Sequence, residues 1–273
     1  MPLTDDERRR YGRHLLIPEL GPEAYERIRT ARVLIVGCGG LGSPAALYLA
    51  AAGIGTLGLL DADVVELSNL QRQVLYTTAD LGRSKAECAA ERVLALNPGV
   101  AVEPHHVRFS AANGLDLVRS YDVTVTGVDN FSARFLLNDA CVLARRTLVE
   151  AGLLRMVGLA LTIKGGETAC YRCLFPEPPP AGSVASAAEA GVLGPLAGLM
   201  GVIQATEVLK VVAGFGTPLY DRLLQVDAGD MRFDEVAIRR DPGCPVCGTH
   251  PTIDALADIE ADAQPARGAA GGT

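Results

Sequence analysis

The sequence predicts an α/β fold: a doubly wound, mainly parallel sheet extended by antiparallel strands. Two observations predict it. From Arg32 to Val149, short apolar runs alternate with helical patterns, the rhythm of strand–helix units in a parallel sheet. Beyond Gly152 the alternation stops, and strand-like runs flank a short turn, as antiparallel pairs do.

The elements follow in order. Arg32 to Val36 has no polar alternation and ends at Gly37, as a strand buried on both faces does. Ser43 is a good N-cap and Pro44 a good first helical residue, predicting a helix from about Pro44 to Ala52 that Gly53 ends. Thr56 to Leu60 is the second strand and closes on Asp61. Lys85 to Leu96 carries Ala86, Ala90, Val93 and Leu94 at helical spacing, and Asn97-Pro98-Gly99 stops it. A strand over Val100–Val107 and a helix over Leu115–Arg119 come next. Tyr121–Thr126 is a strand ending near Asp129, followed by a helix over Phe131–Arg145 and a short strand over Thr147–Val149. The later strands are Leu159–Ile163, Leu223–Val226 and Met231–Ile238, the last two flanking Ala228-Gly229-Asp230.

Two segments stand apart. Val192 to Val212 is the most apolar stretch, but Gly194, Pro195, Gly198, Gly201, Gln204, Glu207 and Lys210 interrupt it. That pattern fits a buried helix rather than a bilayer span. Pro176 to Gly191 holds four prolines and no period, which predicts a long loop.

The 273 residues are 49% hydrophobic and 21% charged, ordinary for a globular protein and unlike a disordered one. The net charge of −7 and the absence of Trp argue against a generally basic nucleic-acid binder. The charged start, with Asp5, Asp6, Glu7, Arg8, Arg9 and Arg10, lacks the apolar stretch of a signal peptide. A cytoplasmic location without membrane contact is therefore expected.

The chemistry concentrates in three places. Gly37, Gly39 and Gly42 have the spacing of a dinucleotide-binding turn between strand and helix, a Rossmann-like feature. Glycines let backbone approach phosphate, and the helix N-terminus offers amides. Asp61 ends the second strand, where an acid reaches ribose hydroxyls. These residues alone fit NAD as well as ATP. The paired Cys170-x-x-Cys173 and Cys244-x-x-Cys247 supply four thiolates, the ligand set of a closed tetrahedral zinc site; redox dithiols or disulfides are the rival reading. Cys38, Cys88 and Cys141 read as buried small hydrophobes.

Several motifs together resemble the ubiquitin-activating superfamily. More closely they resemble the ThiF/MoeB/HesA family of adenylyltransferases acting on ubiquitin-like sulfur-carrier proteins. They are the Arg10-Tyr11-Gly12-Arg13-His14 opening, the glycine turn, Ser68-Asn69-Leu70-Gln71-Arg72-Gln73, Lys85, Asp129-Asn130, Cys170-Tyr171-Arg172-Cys173, Ala190-Gly191-Val192 and Cys244-Pro245-Val246-Cys247. The resemblance runs from about Arg10 to Gly248.

It implies that Gly40, Asp61, Ser68, Asn69, Leu70, Gln71, Arg72, Lys85, Asp129 and Asn130 hold MgATP. Arg72 and Lys85 offset charge on the phosphates, and Asp129 holds Mg²⁺. It implies a homodimer in which Arg13 reaches the partner's ATP, a structural zinc, and a carrier partner ending in Gly-Gly, with sulfur from a separate donor. It also implies a division into an N-terminal helical arm (1–30), a nucleotide-binding half (31–152) and a carrier-binding half (153–250) with a crossover loop (174–192). The tail 251–273 reads as disordered. The loop departs from the family: Ala187 stands where many members carry a cysteine, and Leu174 to Gly243 contains none. The expected reaction is ATP-dependent adenylation of the carrier's terminal glycine. An NAD-dependent oxidoreductase and a non-catalytic carrier-binding scaffold are the alternatives.

Overall fold

Apolar residues on both faces of a strand demand cover on both faces, and the sequence supplies helices for each. The computed structural model describes residues 3–180, 183–184 and 187–259. The strands are β1 (Arg32–Val36), β2 (Thr56–Leu60), β3 (Ala101–His105), β4 (Val123–Thr126), β5 (Thr147–Leu154), β6 (Val157–Lys164), β7 (Arg222–Asp227) and β8 (Arg232–Ala237). The helices are α1 (Asp5–Leu15), α2 (Pro22–Thr30), α3 (Gly42–Ala52), α4 (Lys85–Leu96), α5 (Gly114–Arg119), α6 (Phe131–Leu143), α7 (Tyr171–Leu174), α8 (Ala187–Ala190) and α9 (Gly194–Ala213).

Among the described residues the strands form one sheet in the order β3-β2-β1-β4-β5-β6-β7-β8. From β3 to β5 the neighbours are parallel. From β5 to β8 they are antiparallel. Successive side chains point to opposite faces, so β1 feeds two cores. Val33 and Ile35 join Leu49, Val93 and Val208 on the face covered by α3, α4 and α9. Leu34 and Val36 join Phe135, Leu137 and Leu148 on the face covered by α5 and α6.

Helix α9 passes for a membrane span by length and composition, yet half of its apolar window is buried inside the fold. Its polar interruptions explain why. Gln204 Nε2 donates to the carbonyls of Thr126, at 2.7 Å, and Val149, at 3.2 Å. Glu207 Oε2 accepts from Thr162 Oγ1 at 2.6 Å and from the Leu219 amide at 2.7 Å. These groups tie the helix to the sheet it covers.

Four expectations are corrected. Ser43 does not cap α3: the helix begins two residues earlier than expected, at Gly42, with Leu41 at the cap position and no side-chain cap bond. Ser43 Oγ instead donates to the Cys38 carbonyl at 3.1 Å. Strand β5 extends to Leu154 because β6 pairs with all of it, from Thr147↔Lys164 to Leu154↔Val157, whereas parallel β4 pairs only as far as Val149. The proline-rich loop contains the single turn α8. The expected unstructured tail is ordered over 251–259: Ile253 and Leu256 pack on the α5–α6 core, and Asp258 Oδ1 accepts from the Ala111 amide at 2.8 Å. Ser186 of the loop and the expected tail residues 260–273 lie outside the described residues.

Helix α6 is fastened by buried charge. Arg172 Nε and Nη2 each donate to the Asp139 carboxylate at 2.7 Å. Arg134 Nε lies 3.1 Å from Glu150 Oε1, in space left by Gly152, whose missing Cβ would lie 2.2 Å from Arg134 Nη1. Removing one partner of such a pair strands the other without solvation. Arg172→Met is expected to lower unfolding free energy by about 3–5 kcal/mol. The double change with Asp139→Leu should recover most of that loss. Denaturant midpoints of the three proteins check both expectations.

Candidate functional site

The site lies where the strand order turns around, between the carboxyl ends of β1 and β4, the place where open α/β sheets bind ligands. β1 leaves the sheet through Gly37, whose φ of +93° suits glycine. A Cβ on Gly42 or on Gly127 would lie 2.0 Å from the Gly37 carbonyl oxygen. Only hydrogen fits at those contacts, so the turn closes on itself and on the exit of β4. In the first turn of α3 the Ser43 amide donates to the Gly39 carbonyl at 2.9 Å and Pro44 carries no N–H, so the Gly42 amide is the one left to an anion.

Gly39 and Gly40 face a second segment. A Cβ on Gly39 would lie 3.4 Å from Gln73 Nε2, and one on Gly40 would lie 3.4 Å from both Cγ and Cδ of Arg72. Arg72 is held by Nη1 donating to the Ser68 carbonyl at 3.1 Å. Asn69 is buried, and its Oδ1 accepts from the Glu66 amide at 3.3 Å, fixing the turn that carries Ser68. The start of α9 packs behind Leu70-Gln71, where a Cβ on Gly194 would lie 2.4 Å from the Gln71 carbonyl oxygen.

Asp61 sits beside the turn. Its Oδ2 accepts from the Cys38 amide at 2.8 Å and its Oδ1 from the Asp63 amide at 2.9 Å. Burial pushes its carboxyl above the ordinary aspartate range, against the pull of Lys85 and the two amides. Lys85 is 6% exposed, and its Nζ lies 3.1 Å from Asp63 Oδ2, a carboxylate mostly in solvent. Tyr76 donates its hydroxyl to the Cys38 carbonyl at 2.8 Å and to the Lys85 carbonyl at 3.3 Å, tying the two halves of the site together.

The structure therefore brings together the glycine turn, Asp61, Ser68 to Arg72 and Lys85. Asp129 is exposed two residues past Gly127, and Asn130 Oδ1 caps α6 by accepting from the Ala133 amide at 2.8 Å. Arg13 is not brought to this chain's turn. Tyr11, two residues before it, packs against Gly53 at the opposite end of α3 from Gly42. Sequence reasoning missed Asp63, Tyr76 and the contact of Gln73 with Gly39. Gln73 belongs to the Ser68–Gln73 run that carried the family resemblance and Asp63 lies two residues past Asp61, so proximity to those marked residues was the available signal.

The four paired cysteines meet at the end of the other core. Sulfur atoms of Cys170 and Cys244 are 3.6 Å apart, those of Cys173 and Cys247 3.4 Å, and those of Cys170 and Cys173 3.9 Å. All four lie within 4.8 Å of one another. A zinc tetrahedron with bonds of about 2.3 Å has sulfur–sulfur edges of about 3.8 Å, so this set can hold zinc. Around the sulfurs, the Asp241 amide donates to Cys173 at 3.4 Å and Asn138 Nδ2 to Cys170 at 3.9 Å. Four cysteine sulfurs at these separations are a set that a bound cation would hold as thiolates.

The ThiF family model matches residues 11–246. A sulfur carrier protein adenylyltransferase of Thermus thermophilus is 47% identical over 266 residues, which cover 96% of this chain and 98% of that protein. The adenylyltransferase and sulfurtransferase MOCS3 of Sus scrofa is 49% identical over 259 residues; the match spans 94% of this chain but only 57% of that protein. Among solved structures, Escherichia coli MccB with AMPCPP and MccA has a TM-score of 0.78 at 25% identity, over 90% of this chain and 75% of that one. The family match takes in the whole sheet, the glycine turn and three of the four paired cysteines: the chain belongs to the ThiF family and is an adenylyltransferase.

Proposed function

We propose that this adenylyltransferase activates the C-terminal glycine carboxylate of a ubiquitin-like sulfur-carrier protein with MgATP, releasing pyrophosphate and leaving an acyl-adenylate. The observation that carries the reading is the charge around the turn. Buried Lys85, acting on Asp61 beside the turn, and anchored Arg72, against Gly40, put two cations around the glycine turn. That arrangement serves a triphosphate better than a nicotinamide. The name of the Thermus relative, a sulfur carrier protein adenylyltransferase, supports the carrier as substrate.

The residue types fit the chemistry. The attacking carboxylate is ionised at neutral pH, so no general base is needed. Negative charge accumulates as it meets the α-phosphate, and Arg72, Lys85 and the Gly42 amide are placed to offset it. Asp61 serves the ribose. Asp129 supplies a carboxylate to Mg²⁺, an ion that keeps most of its waters and adds positive charge to the phosphates when bound. Zinc in the four-cysteine cluster is structural, since four protein sulfurs leave no open position.

Two copies complete the site. Arg13 lies about one helix length from its own turn, and α3 measures some 16 Å at about 1.5 Å per residue. It serves the ATP of a partner copy in a homodimer.

Three outcomes test this reading. Asp129→Ala should reduce carrier-dependent ATP–pyrophosphate exchange at least about 100-fold while leaving thermal unfolding unchanged; unchanged exchange would remove the magnesium assignment. Mixed Arg13→Ala and Asp129→Ala chains should regain activity that neither has alone, because one mixed site is intact; no regain would rule out the shared site. Elemental analysis should find one zinc per chain, and its removal by chelator should lower the unfolding temperature. Full thermal stability in zinc-free protein would make the cluster's metal dispensable.

A further inference from the structure

The helix stop Asn97-Pro98-Gly99 does more than end α4. Asn97 is 1% exposed. Its backbone amide closes the helix by donating to the Val93 carbonyl at 2.8 Å. Its side-chain Nδ2 donates to the Ala50 carbonyl, in the last turn of α3, at 2.7 Å and to the Tyr11 hydroxyl of α1 at 2.8 Å. Its Oδ1 accepts from the Gly99 amide at 3.2 Å. One buried amide group thus joins three helices.

Tyr11 is the main anchor of α1. Among the described residues of that helix it alone is buried. Its ring occupies the space that Gly53 leaves open, where a Cβ would lie 2.6 Å from it, and its centroid is 4.8 Å from that of Tyr25. Two further ties are polar: Arg10 Nη1 donates to the Leu96 carbonyl at 3.0 Å, and Arg29 Nη1 lies 3.5 Å from Glu7 Oε1. Between the arm and the core a cavity of about 410 Å³ stays open, with Asp6, Arg10, Tyr25, Thr30 and Pro98 in its lining. A helix that stands off the core across such a gap takes its direction from its anchor, not from close packing. That direction sets Arg13. Two positions along a helix turn the side chain by about 200°, so with Tyr11 facing the core Arg13 faces outward, and it is exposed.

Resting on the shared-site reading, we infer that Asn97 and Tyr11 form a clip that aims Arg13 at the ATP of the partner copy. Both are positioning residues: they act through Arg13, and on the other chain's site. The clip is remote from its own chain's turn, since Ala50 and Gly53 lie at the opposite end of α3 from Gly42. The chemistry requires such a device. A guanidinium that offsets charge on phosphates must already be in place as that charge develops. A misplacement of about 1 Å can cost about 100-fold in rate, and an arm released over a cavity can move farther than that.

The test reads carrier-dependent ATP–pyrophosphate exchange in full chains, alone and mixed. Asn97→Ala should lower the maximal rate at least about 10-fold and leave the KM for ATP within about two-fold, the split expected when a contact made only in the transition state is lost. Mixed with Asp129→Ala chains it should regain exchange, because one site then joins an intact nucleotide half to an intact arm. Mixed with Arg13→Ala chains it should not, because every site then lacks a correctly aimed Arg13. Tyr11→Ala releases the clip from the arm side, leaves Asn97 bonded to Ala50, and should give the same pattern even where Asn97→Ala fails to fold. An unchanged rate would overturn the inference. Regain with Arg13→Ala chains would do so too, because it places the loss in the variant chain's own site. Full activity of Arg13→Ala alone would instead overturn the shared-site reading, and the inference with it.

Discussion

The site depends on a contact made without side chains. At the break in strand order, Gly37 turns out of β1 with its carbonyl 2.0 Å from where a Cβ of Gly42 or Gly127 would stand. One methyl group at either position would separate β1 from β4 or push α3 off its axis. Because the contact is that close, α3 begins directly beneath the turn, with the Gly42 amide at its tip. The exit of β4 is fixed by the same contact, so Asp129 follows the turn at a distance set by backbone alone. Binding chemistry and sheet topology here are one constraint.

A second constraint comes from α6, which joins the two halves of the chain. Its N-terminus follows Asp129-Asn130. Farther along, it grips the cysteine segment: the Tyr171 amide donates to Asn138 Oδ1 at 2.9 Å, Arg172 pairs with Asp139, and Phe135 packs edge-on to Tyr171 with ring centroids 5.0 Å apart. Buried pairs of this kind add little net stability over apolar packing, but they penalise misplacement heavily. Their effect is to fix where α6 starts. The cysteine cluster then acts as a distant anchor, returning the segment after β8 to the segment before the loop through Cys244 and Cys247.

Most of the parallel half was legible in the sequence because each signal there is local. Apolar runs, a glycine turn and helix stops at Gly53 and Asn97-Pro98-Gly99 sit within a few residues of what they decide. The errors lie where pairing is non-local. Nothing in Glu150-Ala151-Gly152-Leu153-Leu154 announces that an antiparallel neighbour will carry β5 five residues further. The short apolar residues Ile253 and Leu256 look dispensable until the α5–α6 core is present to receive them. Ser43 misled because a good capping residue also bonds well inside a tight turn, and the Cys38 carbonyl was the nearer partner. At the site, residue types marked Asp61, Arg72, Lys85 and the four cysteines. The role of Asp63 as the Lys85 partner required the fold, since the pair joins the segment after β2 to the start of α4.

The electrostatics of the turn explain why the oxidoreductase alternative fails on physical grounds as well as by family. Lys85 is held almost wholly out of water, yet its direct partner Asp63 lies mostly in solvent and is screened there. The other acid acting on it, Asp61, is buried, is pushed by desolvation toward its neutral form and has both oxygens occupied by amides. A buried cation whose direct partner is screened by solvent gains from an arriving polyanion. Arg72, on the other side of Gly40, adds a second positive group to the same turn. A triphosphate, whose charge grows further as a carboxylate attacks it, is the ligand for which that pair of cations is an advantage.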